Sequence, residues 1–117
     1  MIPDAQAFAA AWIDAWNRHD LDDILSHYAP EIVFVSPAAP RITGDPSGRV
    51  VGKAALAEYW RAALEAVPDL RFELVSVLRG AEGLALRYRS SRTGREVVEV
   101  LSFDASGLAV AAAAYYE

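Results

Sequence analysis

The chain has 117 residues, 54% of them hydrophobic and 23% charged, with a formal net charge of −5 and no cysteine. That length suits one domain over residues 1–117, able to bury a core without covalent staples. The composition excludes a disulfide framework, a thiolate metal site and a cysteine nucleophile, and the acidic balance without a basic stripe argues against nucleic-acid binding.

No apolar run is long enough to cross a bilayer, and Met1-Ile2-Pro3-Asp4 lacks the basic start and apolar core of a signal peptide. The expectation is therefore a cytoplasmic protein without membrane contact. Residues 5–18 carry helical periodicity: Phe8, Trp12 and Trp16 recur every fourth position, with Ala9 and Ala15 beside them. Asp4 is placed to cap that helix. Asn17 to His19 reads as a break, and Asp20 caps a short second helix over 21–28 whose inner face is Leu21, Ile24, Leu25 and Tyr28. Pro30 forces Ala29 out of the helical region and stops it. A strand follows over 31–36, then a loop over 37–49 punctuated by Pro37, Pro40, Gly44, Pro46 and Gly48. The third helix runs from Lys53 to Val67, with Leu56, Trp60, Ala63 and Leu64 on one stripe. Strands are predicted over 70–79, 84–92, 96–104 and 108–116, and their short Gly-containing turns make an antiparallel meander. The fold class is α+β: three helices packed on one face of a curved, mostly antiparallel sheet, enclosing a pocket.

Alternation along 96–104 puts Val97, Glu99, Leu101 and Phe103 on one face and Val98, Val100 and Ser102 on the other. Both sets are largely apolar, so both faces of the sheet want cover. Helices supply one; a second copy of the chain is the expected cover of the other, which makes a homodimer. Glu99 sits mid-strand among apolar neighbours. A carboxylate buried there finds a partner or stays protonated, which makes it the leading candidate for acid/base chemistry. The bland alternative is a structural ion pair with Arg87 or Arg89 on the neighbouring strand.

Several stretches in order resemble the nuclear transport factor 2-like superfamily, in its SnoaL-like and ketosteroid-isomerase-like branch. They are Trp16-Asn17-Arg18-His19-Asp20, Tyr28-Ala29-Pro30-Glu31, Ser36-Pro37, Gly52-Lys53, Phe103-Asp104 with Ser106-Gly107, and Tyr115-Tyr116. The resemblance covers nearly the whole chain. It implies a cone-shaped, commonly dimeric fold around a deep pocket. In ketosteroid isomerases a carboxylate base moves a proton while a tyrosine and a protonated carboxylic acid hold the oxyanion. Carried over, the base position falls on Ser36, the tyrosine position on Trp12 and the acid position on Glu99. Steroid-type isomerisation thus lacks its usual base, whereas a polyketide-cyclase-like mechanism needs only a proton acceptor, which Glu99 can supply.

The expected pocket is lined by Trp16, Tyr28, Phe34 and Trp60 from the first half of the chain. Leu86, Tyr88, Leu101, Ala112 and Tyr116 complete it from the strands. These side chains suit a small apolar or aromatic molecule. No cofactor is expected, and His19 and His27 are too few and too isolated for a metal site. Asn17 is the only asparagine, against the acid, arginine and asparagine cluster of epoxide-hydrolase relatives. No phosphate-binding glycine loop, Rossmann fingerprint or nucleophile elbow is present. Two functions remain open: proton transfer through Glu99 in isomerisation or cyclisation, and a non-catalytic ligand-binding or dimerisation module.

Overall fold

The computed structural model describes residues 1–117. Helix α1 (Ala5–Asn17) starts where the Asp4 carboxylate accepts from the Ala7 amide at 2.9 Å, and it buries the stripe Phe8, Ala9, Trp12, Ala15 and Trp16. His19 then takes a positive φ of 55°, and Asp20 caps α2 (Leu21–Leu25) by accepting from the Asp23 amide.

The second helix is shorter than its sequence pattern suggests. It stops at Leu25, and Tyr28 opens β1 (Tyr28–Val35) instead of closing a helix. Ser26 folds its hydroxyl back onto the Asp23 carbonyl at 2.6 Å, and the His27 carbonyl accepts from the Ala109 amide, so pairing across the sheet begins there. Pro30 needs an extended residue before it, and the strand provides that.

The stretch expected as plain loop over 37–49 holds a one-turn helix, α3 (Pro40–Thr43), and runs at its last residue into a three-residue strand, β2 (Arg49–Val51). Elements this short leave no periodicity to read. They hinge on Gly48, at φ 72°: a Cβ there would stand 2.5 Å from the Ser36 carbonyl oxygen. The Ser36 amide donates to the Gly48 carbonyl at 2.9 Å, which closes the β1–β2 hairpin. Helix α4 (Lys53–Ala66) then buries Leu56, Tyr59 and Trp60.

Strands β3 (Phe72–Arg79), β4 (Gly83–Ser90), β5 (Glu96–Phe103) and β6 (Ala109–Tyr116) form the meander. The sheet order is β2-β1-β6-β5-β4-β3; β1 and β6 run parallel and every other pair is antiparallel. Register shifts in β1, β3 and β5 bend the sheet around the helices. At Gly83 a Cβ would lie 1.7 Å from the Leu101 carbonyl oxygen, so β4 and β5 touch backbone to backbone there.

The helices cover one face only. On that inner face the rows across the strands are Leu84–Leu101–Ala112–Phe34, then Leu86–Glu99–Ala114, then Tyr88–Val97–Tyr116. On the outer face a row of Leu78, Ala85, Val100, Ala113 and Val35 crosses five strands; Leu78 and Val100 in it are largely exposed. No helix is long and apolar enough to cross a membrane.

Candidate functional site

The three inner rows climb from a closed end of the sheet to an open one. At the open end lie the β4–β5 turn, the carboxyl ends of β1 and β6, and the start of β3. A cavity of about 310 Å³ sits there, within the range of small-molecule sites. Fifteen of its 19 lining residues are hydrophobic.

Glu99 reaches this cavity from the middle row, where its cross-strand neighbours are Leu86 and Ala114. It is only 3% exposed. The single hydrogen bond to its carboxylate comes from the Tyr88 hydroxyl at 3.2 Å. Burial in that apolar setting pushes its pKa from the ordinary 4.5 up to about 7, and the Tyr88 bond pulls the other way without offsetting it. No arginine relieves it. Arg87 and Arg89 project from the opposite face, where both bind Glu96. The structural ion pair considered for Glu99 is therefore absent.

Phenols surround the carboxyl. Tyr28, Tyr59, Tyr88 and Tyr116 all have their ionisation pushed up, first by burial and also by the Glu99 charge. For Tyr59 the pKa reaches about 12. Each therefore stays a neutral hydroxyl, able to donate, throughout the physiological range.

The residues singled out from sequence divide into two groups. Trp12, Trp16, Phe34, Trp60, Tyr88, Glu99 and Tyr116 line the cavity. Tyr28, Leu86, Leu101 and Ala112 do not; they pack in the core below it. Tyr28 is fully buried because it is drawn into β1, and Leu101 and Ala112 lie in the row below Glu99, where only Phe34, at the β1 end of that row, reaches the cavity. Leu86 faces inward beside Glu99 but is sealed by its neighbours, with 0% exposure.

Two role assignments change with the geometry. The Trp12 ring forms part of the wall, but its N–H donates to the Tyr28 hydroxyl at 2.8 Å and is thus committed within the protein. Ser36 is outside the lining; its hydroxyl accepts from the Ala38 amide at 3.1 Å and lies 3.3 Å from the Tyr116 hydroxyl, so it holds the turn after β1. Neither residue is free to serve as base or oxyanion donor.

Other lining residues went unnoticed in the sequence. Tyr59 sits one position before Trp60 on the helical stripe, close enough to share its face. Phe72 stacks on Trp12 with ring centres 5.9 Å apart and packs 4.4 Å from Tyr88. Arg41 and Arg92 reach the cavity from α3 and from the β4–β5 turn. Charged residues in turns carry no pattern that marks them as lining. No cluster of three or more His, Cys, Asp or Glu residues that could hold a metal ion is present.

A family model for the SnoaL-like domain matches residues 9–112. The chain belongs to the SnoaL-like family. A SnoaL-like protein of unknown function from Burkholderia thailandensis is 46% identical, with a TM-score of 0.91 over 96% of this chain and 92% of that one. AclR, a proposed hydroxylase from Streptomyces galilaeus, is 25% identical with a TM-score of 0.72, over 96% of this chain and 87% of that one. A proposed polyketide cyclase from Sinorhizobium meliloti shares the fold at 16% identity, with a TM-score of 0.74 over 93% and 94% of the two chains. A search of curated proteins returned no significant match. The cone-shaped α+β architecture with a curved, open sheet is thus that of the SnoaL-like and nuclear transport factor 2-like fold.

Proposed function

We propose that this SnoaL-like protein binds a flat, largely apolar or aromatic metabolite and moves a proton on it through Glu99. The observation that carries the reading is a lone carboxyl with a pKa of about 7 in the floor of an apolar cavity. Near neutral pH about half of such carboxyls are ionised, so the group can both take and return a proton. Ionised Glu99 removes a proton from a carbon next to a carbonyl. Once it is neutral, it no longer holds the Tyr88 hydroxyl as a charged acceptor would. That hydroxyl is then available to the enolate oxygen. Returning the proton to another carbon completes an isomerisation; attack of the enolate carbon on a second carbonyl of the same ligand gives an alkoxide, which takes the proton back from Glu99 and completes a cyclisation. The proposed polyketide cyclase among the structural relatives points to the same small-molecule chemistry.

A test that needs no natural substrate is hydrogen–deuterium exchange at the α-carbon of 2-tetralone in D₂O, followed by NMR. Catalysed exchange that disappears in Glu99→Gln is the expected result. Binding of the ketone with no exchange above the buffer rate would sink the proton-transfer reading. It would leave the non-catalytic one, which the serine at position 36 favours.

We infer as well that the outer face of the sheet joins a second copy. The uncovered apolar row from Leu78 to Val35 crosses five of the six strands, longer than scattered surface residues explain. Sedimentation analysis of Val100→Lys is expected to show a monomer where the parent is a dimer. A monomeric parent would remove the inference.

A further inference from the structure

The polar groups of the cavity are unevenly spread. Glu99 is the one acid among the lining residues, and it lies at the floor. Two arginines, Arg41 and Arg92, line the same cavity while remaining exposed, so they stand at its rim. They come from separate segments, one from α3 and the other from the turn between β4 and β5.

Neither has a carboxylate within ion-pair distance. The ion pairs of the molecule engage Arg18, Arg87 and Arg89. The Arg92 guanidinium lies 5.8 Å from the centre of the Tyr116 ring, a cation–π contact that keeps it over the cavity wall. Its charge also favours ionisation of the Tyr59 and Tyr116 hydroxyls, so its field extends to the groups around the opening. An apolar ligand alone would leave both cations without a counterpart.

The geometry points to an amphipathic ligand: an aromatic body seated between Trp16, Trp60 and Phe72, with a carboxylate at the mouth held by Arg92 and favoured by the field of Arg41. The inference rests on the reading of the cavity as a ligand site and adds the chemical class of the ligand. The polarity follows from electrostatics. A carboxylate beside Glu99 would face a second buried acid, whereas one at the rim keeps part of its hydration and meets a guanidinium that offers paired donors. The reacting carbons of the body then lie toward Glu99, and the acid handle stays clear of the chemistry.

The test compares 2-naphthoate with 2-naphthamide, of the same shape but uncharged, by isothermal titration calorimetry at pH 8 and low salt. The parent protein is expected to bind the acid at least about tenfold more tightly, a typical gain for one charge-assisted contact. Arg92→Met is expected to remove most of that preference and Arg41→Met a smaller part, with the affinity for the amide unchanged within about twofold. Arg95→Met, on the same turn but outside the cavity, should leave both affinities as they were. Equal binding of acid and amide would overturn the inference while leaving the cavity a ligand site, and so would a preference that survives in the Arg41→Met/Arg92→Met double variant. Failure of both probes to bind at millimolar concentration would overturn this inference together with the reading on which it rests.

Discussion

Glu96 and Glu99 lie three residues apart on one strand, and the odd spacing sends them to opposite faces of the sheet. On the outer face Glu96 accepts from Arg87 at 2.6 Å and from Arg89 at 3.3 Å, and these partners hold its pKa below the ordinary value. On the inner face Glu99 meets Leu86, Ala114 and one phenol, and burial pushes it up to about 7. The same functional group is held as an anion in one place and brought close to neutral titration in the other. What differs is whether water and arginine can reach it. The covering helices α1 and α4 therefore set the state of the carboxyl as much as the strand that bears it does.

The sharpest break of this comparison is to remove each carboxyl in turn and follow α-proton exchange on 2-tetralone. Glu99→Gln is expected to lower the catalysed rate by about 10²–10⁴-fold, the usual worth of a positioned general base. The matching change at Glu96 should leave the rate within about twofold. Equal losses from both would mean that Glu99 acts only through the fold.

A second effect, nearly as large, is on stability and has a defined sign. The folded-state pKa of Glu99 is raised above its unfolded value, so the folded chain holds its proton more tightly. That contribution is fully present below pH 4.5 and is lost as pH rises through about 7. At roughly 1.4 kcal/mol per pH unit the loss is about 3 kcal/mol. Glu99→Gln has no such proton to lose. In urea titrations it should match the parent at pH 4.5 and exceed it by up to about 3 kcal/mol at pH 8. His27, whose pKa burial lowers, acts in the opposite sense as pH falls through the ordinary histidine value of 6.5, but it is common to both chains and cancels in the difference. A pH-independent difference between the two chains would show that Glu99 is not the group that titrates.

The comparison also explains what could be read from the sequence. Strict alternation along β5 placed Glu99 among apolar side chains, and the four-residue recurrence of Phe8, Trp12 and Trp16 defined the helix that covers it. Both patterns are local. Alternation states which face a residue takes but not how high on that face it sits. Leu101 and Ala112 alternate inward like Glu99, yet they pack beneath it, and of their row only Phe34 reaches the cavity. Hydrogen-bond partners are non-local as well. Nothing near Trp12 indicates that its N–H is committed to Tyr28 sixteen residues away. The spacing of Tyr28 from Leu21, Ile24 and Leu25 is helical, so the local pattern places it in a helix. Pairing with Ala109 on β6, far along the chain, decides otherwise. The rim arginines escaped for a similar reason, since turns carry charge for solubility far more often than for binding.

A smaller effect sharpens the inner half of the comparison. Tyr88 supplies the only hydrogen bond to the Glu99 carboxylate, and it favours the ionised form. Tyr88→Phe removes the hydroxyl but keeps the ring against Phe72 and Trp12. The midpoint of the pH–rate profile should then move upward by about one pH unit, as expected for loss of a bond of roughly 1.5 kcal/mol to a charged group. A downward movement would mean that the phenol bonds better to the neutral acid, and the order of proton transfer and enolate binding would need to be rewritten.

The smallest expected effect lies on the outer face. Glu96 shares its carboxylate between Arg87 and Arg89, whose side chains are each nearly half exposed, so water already screens the pairs. Exposed ion pairs of this kind gain little over hydration and give up side-chain freedom to form. Glu96→Gln should shift the melting temperature by no more than about 2 °C, and 0.5 M salt should shrink the difference further. A larger, salt-resistant loss would mean that the pair is shielded from water in solution. The outer face would then be covered, and sedimentation of the same variant would report whether a second copy of the chain provides the cover.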